Sequence, residues 1–204
     1  MFITVEGLDG AGKSTQAQIL AQNLEKRGYQ VVLAREPGGT KISEAIRNLL
    51  LDPRQETMAS STEVLLYAAA RAQLVEEVVY PALQRGQVVI CDRFVDSSIA
   101  YQGYGRGISL DFIITVNHHA TRGLVPDLTI YLDIDPAAGL ERVRQAGKTD
   151  RIEGETETFY RRVRQGYLAL LEQNPKRIIK VRADRRVTEI AEEIWSYVER
   201  ELRI

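Results

Sequence analysis

Near the amino end, the run Gly7-Leu8-Asp9-Gly10-Ala11-Gly12-Lys13-Ser14 fits the pattern G-x-x-x-x-G-K-[ST]. The chemistry open to such a run is the holding of a polyphosphate. Its glycines let successive backbone N–H groups turn inward around anionic oxygens, and a helix opening near Lys13 adds the positive end of its dipole. Lys13 is placed to reach the β and γ phosphates. The Ser14 hydroxyl is a hard oxygen donor of the kind magnesium takes when it bridges nucleotide phosphates. Asp92, directly after Val88-Val89-Ile90-Cys91, stands where a second acidic group would hold that metal or one of its waters. These residues predict a nucleoside triphosphate site. Arginines after strands and in loops, namely Arg35, Arg71, Arg93, Arg142, Arg144 and Arg151, are available to surround a second anionic substrate.

Elements able to position these groups follow from the hydrophobic pattern. Apolar runs at 2–5, 30–34, 87–91, 128–133 and 177–181 read as short strands. The continuity of the third indicates burial on both faces, as in a parallel sheet. Helical spacing predicts helices over 13–27, about 42–50, 61–84, 109–122, 136–145, 156–172 and 187–202. Gly103-Tyr104-Gly105-Arg106-Gly107 reads as a flexible glycine-rich turn, since it lacks the preceding strand and immediate helix of a dinucleotide fingerprint. Strands alternating with helices predict an α/β fold: a doubly wound, five-stranded parallel sheet with its ligands at the carboxyl ends of the strands.

The 204 residues predict a single domain. With 44% hydrophobic and 27% charged residues the composition is that of an ordinary soluble globular protein. Lys and Arg total 27 against 28 Asp and Glu, a formal charge of −1, which argues against a broad nucleic-acid or anionic-membrane surface. Cys91 is the only cysteine, so an intrachain disulfide and a Cys-rich zinc site are both excluded. Cys91 reads as a small buried strand residue rather than a nucleophile. No signal-like segment and no apolar run of the ~18–20 residues that cross a bilayer is seen, so a cytoplasmic protein is expected. His118 and His119 point about 100° apart on a helix and do not make a metal pair.

Several motifs together resemble the bacterial thymidylate kinase (dTMP kinase) family over essentially the full length. Beside the phosphate loop these are Arg35-Glu36-Pro37-Gly38-Gly39-Thr40, Asp92-Arg93-Phe94, Ser97-Ser98-Ile99-Ala100-Tyr101-Gln102-Gly103 and Asp150-Arg151-Ile152-Glu153. The resemblance implies a nucleoside-monophosphate kinase fold with a helical lid, here about 142–155. It implies ATP-dependent conversion of dTMP to dTDP with magnesium, and a homodimer. By position, Asp9 matches the carboxylate that accepts from the deoxyribose 3′-hydroxyl, and Arg93 the residue that grips the dTMP phosphate. Tyr67 and Arg71, four apart and so on one helix face, match the positions that stack on thymine and bond its edge. Ser98, Tyr101 and Gln102 match positions around base and sugar, with Tyr101 screening against a ribose 2′-hydroxyl. Pro37, Arg47 and Leu51 match pocket-lining positions.

Two departures matter. Some relatives carry an arginine in the variable part of the phosphate loop, where this chain has Gly10; the catalytic cation is then expected from the lid, with Arg151 leading and Arg142 or Arg144 next, while Lys148 is expected to be solvated. Arg182 stands where relatives commonly have an acidic residue, which leaves the nucleotide donor preference open. Competing readings are a kinase for another nucleoside monophosphate and a nucleotide-gated binding module that transfers nothing.

Overall fold

A computed structural model describes residues 1–147 and 150–202; Lys148, expected to be solvated, lies outside them. Among the described residues the strands β1 (Phe2–Gly7), β2 (Val31–Arg35), β3 (Val88–Asp92), β4 (Leu128–Asp133) and β5 (Ile178–Arg182) form one sheet in the order β2-β3-β1-β4-β5, every pairing parallel. Both β1 and β4 are buried along their whole length, which is why their sequences are nearly continuous in apolar residues. Successive side chains alternate between two cores. Ile3, Val5 and Ile90 face the layer of α1 (Lys13–Glu25) and α9 (Val187–Leu202), where Leu20, Leu24, Ile194 and Val198 meet them. Phe2, Val89 and Cys91 face the other layer, against Leu74, Val79 and Phe94.

The remaining helices are α2 (Lys41–Leu51), α3 (Ser60–Leu74), α4 (Tyr80–Gln84), α5 (Val95–Ser98), α6 (Leu110–Thr121), α7 (Pro136–Ala146) and α8 (Glu157–Gln173). Apart from α5, which the sequence pattern did not mark, the helical boundaries fall within a residue or two of that pattern. The helix predicted over 61–84 is continuous but not uniform, because Val75–Val79 widens into a π-turn in which the Tyr80 N–H bonds the Val75 carbonyl. Pro81 follows at once, and a residue with no N–H and a bulky ring disturbs the ordinary i−4 ladder just there.

One expectation is corrected. The first part of the glycine-rich segment predicted as a flexible turn is helical: α5 runs on as a π-helical stretch, Ile99–Gly105, and the turn is confined to Arg106 and Gly107, the latter at φ 77°. Its glycines serve close packing. A Cβ on Gly105 would sit 2.6 Å from the Phe159 ring of α8, and one on Gly103 would sit 2.5 Å from Leu110 of α6. The carboxyl ends of β1, β3 and β2 lie side by side, with Val5 and Arg35 both in register with Asp92. The connections from β1 and β3 diverge there, opening the crevice in which such sheets bind ligands.

Candidate active site

A cleft of about 350 Å³ opens at that crevice. The phosphate loop forms one end, with Gly7 and Gly10 at φ 144° and 77° and Gly12 at 87° opening α1. Asp9, Gly10, Gly12, Lys13 and Ser14 line the cleft, whereas Leu8 and Ala11 are packed into the core behind it. The Lys13 ammonium folds back to donate to the Leu8 carbonyl at 2.8 Å. Burial and the Arg93 charge push its pKa down to about 8 against the pull of Asp9, Asp92 and Glu6. The Ser14 hydroxyl lies 2.5 Å from an Asp92 oxygen. Two hard oxygen donors from different elements thus converge, as magnesium chemistry asks.

Gly10 has a local reason to be glycine. Besides its positive φ, a Cβ there would sit 2.3 Å from the backbone oxygen of Gly139, in α7. An arginine at this position is sterically shut out.

Midway along the cleft, Arg93 and Asp9 face one another. Arg93 donates to Asp9, to Gly7 O at 3.0 Å, to Ser97 Oγ at 3.1 Å and to the Tyr101 hydroxyl at 3.1 Å. Asp9 also accepts from Tyr101 at 3.0 Å and Tyr160 at 3.2 Å. Burial raises the Asp9 pKa, but Arg93 and Lys13 outweigh it and bring the group down to about 2. Behind them, Glu6 is fully buried and accepts from the Phe94 N–H at 2.7 Å, Ser97 at 2.5 Å and Tyr167 at 3.0 Å. Burial and the charge of Asp96 push its pKa up to about 7.

The rest of the cleft carries an aromatic, aliphatic and polar lining. Pro37, Arg47, Leu51, Tyr67, Arg71, Ser98, Tyr101 and Gln102 all line it, and burial raises the Tyr67 phenol so that it stays neutral. Arg71 is only 1% exposed. It donates to Glu36 at 2.6 Å, Ser98 at 2.9 Å, the Phe94 carbonyl at 3.0 Å and Asn117. Glu36, Glu63, Asn117 and Tyr160 are structural partners that the sequence reading did not single out. Glu36 sits within a quoted motif, which was a usable signal; Asn117, one polar residue in an amphipathic helix, offered none.

The lid arginines separate. Arg142, on α7, reaches the phosphate loop, donating to Gly10 O at 3.1 Å and Ala183 O at 3.2 Å. Arg144 is exposed on α7 and does not line the cleft. Arg151, expected to lead, is held by other partners: its Nε donates to Leu50 O at 2.8 Å and its Nη2 lies 2.6 Å from Glu63. A buried carboxylate in reach is the physical reason. Arg182 is exposed and pairs with Asp184 at 2.7 Å. Cys91 is fully buried, and burial holds its thiol well above the ordinary range. His118 and His119 are both exposed on α6.

Residues 5–194 match the family model for thymidylate kinase. A thymidylate kinase from Halothermothrix orenii is 52% identical over 201 residues, covering 97% of this chain and 96% of its own. One from an Exiguobacterium species is 50% identical over 197 residues, covering 97% and 93%. Among solved structures, a thymidylate kinase from Ehrlichia chaffeensis superposes with a TM-score of 0.81 at 34% identity, over 97% of this chain and 98% of that one.

Proposed function

The chain belongs to the thymidylate kinase family, and from that premise we infer that it catalyses ATP-dependent phosphorylation of dTMP to dTDP within the cleft at the carboxyl ends of β1 and β3. The observation that carries this is one continuous cleft with a phosphate loop at one end, Arg93 in the middle and the Tyr67–Arg71 pocket at the other. That spacing suits a triphosphate donor meeting a pyrimidine monophosphate.

The acceptor is already an anionic phosphate oxygen, so charge repulsion is the problem rather than proton removal. Lys13, released from the Leu8 carbonyl, draws the donor phosphates inward, and the Arg93 fork holds the acceptor phosphate in line. Asp9 keeps Arg93 oriented before substrate arrives and accepts from the sugar 3′-hydroxyl afterwards. Positive charge that Gly10 cannot supply comes from Arg142, the lid arginine that already touches the loop. Ser14 and Asp92 would hold the magnesium that travels with ATP, whose charge offsets that of the phosphates. A homodimer belongs to the same reading, and the exposed apolar side chains Leu65 on α3 and Ile114 on α6, two helices that pack together, give it a surface.

The test is direct. Purified protein mixed with ATP, magnesium and each nucleoside monophosphate in turn should yield dTDP from dTMP, and Lys13→Ala should lose roughly a hundred- to thousandfold in turnover. Faster product from another monophosphate would favour the alternative kinase; tight ATP binding without any product would favour a binding module.

A further inference from the structure

Pyrimidines differ at two edge atoms. Thymine and uracil present a carbonyl oxygen at C4 and an N–H at N3; cytosine presents an amino group and a bare ring nitrogen. A pocket that tells them apart must fix which of its own groups donates and which accepts. A carboxamide is ambiguous in this respect, because its two ends have nearly the same shape.

Gln102 lines the base end of the cleft and is itself 3% exposed. Its Nε2 donates to Glu63 Oε1 at 2.9 Å. Glu63, in the first turn of α3, is fully enclosed. Arg106 lies 3.3 Å from its Oε2, and Arg151 Nη2 2.6 Å. Burial raises the Glu63 carboxyl, but the Gln102 N–H and the two arginines more than offset this and hold it below the ordinary carboxylate range. It is therefore an acceptor only. An ionised carboxylate cannot donate, so the end of Gln102 that faces it must be the nitrogen, and the oxygen is left for the cleft. Across the pocket, Arg71 commits its N–H groups to Glu36, Asn117, the Phe94 carbonyl and Ser98. The Ser98 hydroxyl, accepting from Arg71, keeps its own proton to give.

We propose that Glu63 is a specificity-determining positioning residue: it locks the Gln102 carboxamide with its oxygen toward the base, presenting an acceptor to the N3–H of thymine and opposing the bare N3 of cytosine. Glu63 touches no substrate and acts through Gln102. The proposal rests on the reading that the cleft takes dTMP.

The experiment measures kcat and KM for dTMP and for dCMP at saturating ATP in the natural protein, Glu63→Gln, Gln102→Leu and the double variant. A glutamine at 63 can donate as well as accept, so Gln102 is free to turn over. Glu63→Gln should raise the KM for dTMP about tenfold with kcat changed less than about threefold, and lower the dTMP-to-dCMP ratio of kcat/KM by about tenfold. In the Gln102→Leu background the same change should alter that ratio less than about twofold. An unchanged ratio in folded Glu63→Gln, or an equal fall with and without Gln102, overturns the proposal, since a merely structural role would lower active protein without moving selectivity. Should Glu63→Gln fail to fold, Glu63→Asp keeps the charge for the two arginines while drawing the carboxylate back from Gln102; it must show the same loss of selectivity, and full selectivity there overturns the idea. A natural protein with no preference for dTMP would instead defeat the dTMP reading itself.

Discussion

Arg93 shows how much of the site hangs on single residues. It holds a left-handed backbone, φ 72°, which few residues other than glycine adopt, at a cost of about 1–3 kcal/mol. Its surroundings over-determine it: the Arg93 N–H bonds Val5 O at 3.0 Å, and Glu6 grips the next N–H at 2.7 Å. The twist carries the guanidinium off the end of β3 and across to Asp9. Because a planar fork can take two phosphate oxygens and an ammonium cannot in the same way, Arg93→Lys should lose roughly a hundred- to thousandfold in kcat/KM for dTMP, nearly as much as Arg93→Ala, with KM for ATP changed less than about threefold. Steady-state kinetics with each substrate varied would check this, and recovery of most activity by lysine would mean that a point charge suffices. Arg93 was legible in the sequence because its neighbours Asp92 and Phe94 are part of one short motif. Glu63 and Asn117 were not, since their meaning lies in partners 39 residues away or more.

At the scale of elements, strands and most helices were readable from hydrophobic period alone, whereas the stretch Ile99–Gly105 was not. Three glycines in five residues ordinarily mark a turn; here Gly105 lets α8 approach, and the close contact exists only after residues far apart in sequence have packed. Gly166 of α8 is the reciprocal case. A Cβ on it would lie 2.8 Å from the Tyr104 ring and 3.0 Å from the Ala100 backbone. Replacing a mid-helix glycine by alanine usually stabilises by about 1 kcal/mol. At Gly166 the sign should reverse, with Gly166→Ala costing about 1–3 kcal/mol through overpacking. The displaced stretch carries Tyr101 and Gln102, so KM for dTMP should rise while KM for ATP holds. Chemical unfolding and kinetics on one variant would test both halves, and a stabilised protein with unaltered KM would count against this packing account.

Summed over the molecule, 27 cations against 28 anions conceal charges that the fold sorts by depth, and that sorting makes stability depend on pH. Asp9 is held down to about 2 from an ordinary 3.8. Its ion pairing with Arg93 therefore stabilises fully above pH 3.8 and is lost as pH falls through about 2. Glu6 acts in the opposite sense. Raised from 4.5 to about 7, it binds a proton in the folded protein over a range where the unfolded chain has released it. Stability from this group is present below pH 4.5 and declines as pH rises through about 7, by an amount on the order of 3 kcal/mol. Between them the two groups favour mildly acidic conditions, despite a site whose chemistry needs charged phosphates. Glu6→Gln isolates the second effect, because the amide oxygen can still accept the Phe94 N–H and the amide nitrogen can donate to Ser97 and Tyr167 without titrating. Urea midpoints followed from pH 4 to 8 should decline in the natural protein and run much flatter in Glu6→Gln. Parallel declines in the two proteins would place the titration elsewhere and leave Glu6 as a group charged throughout.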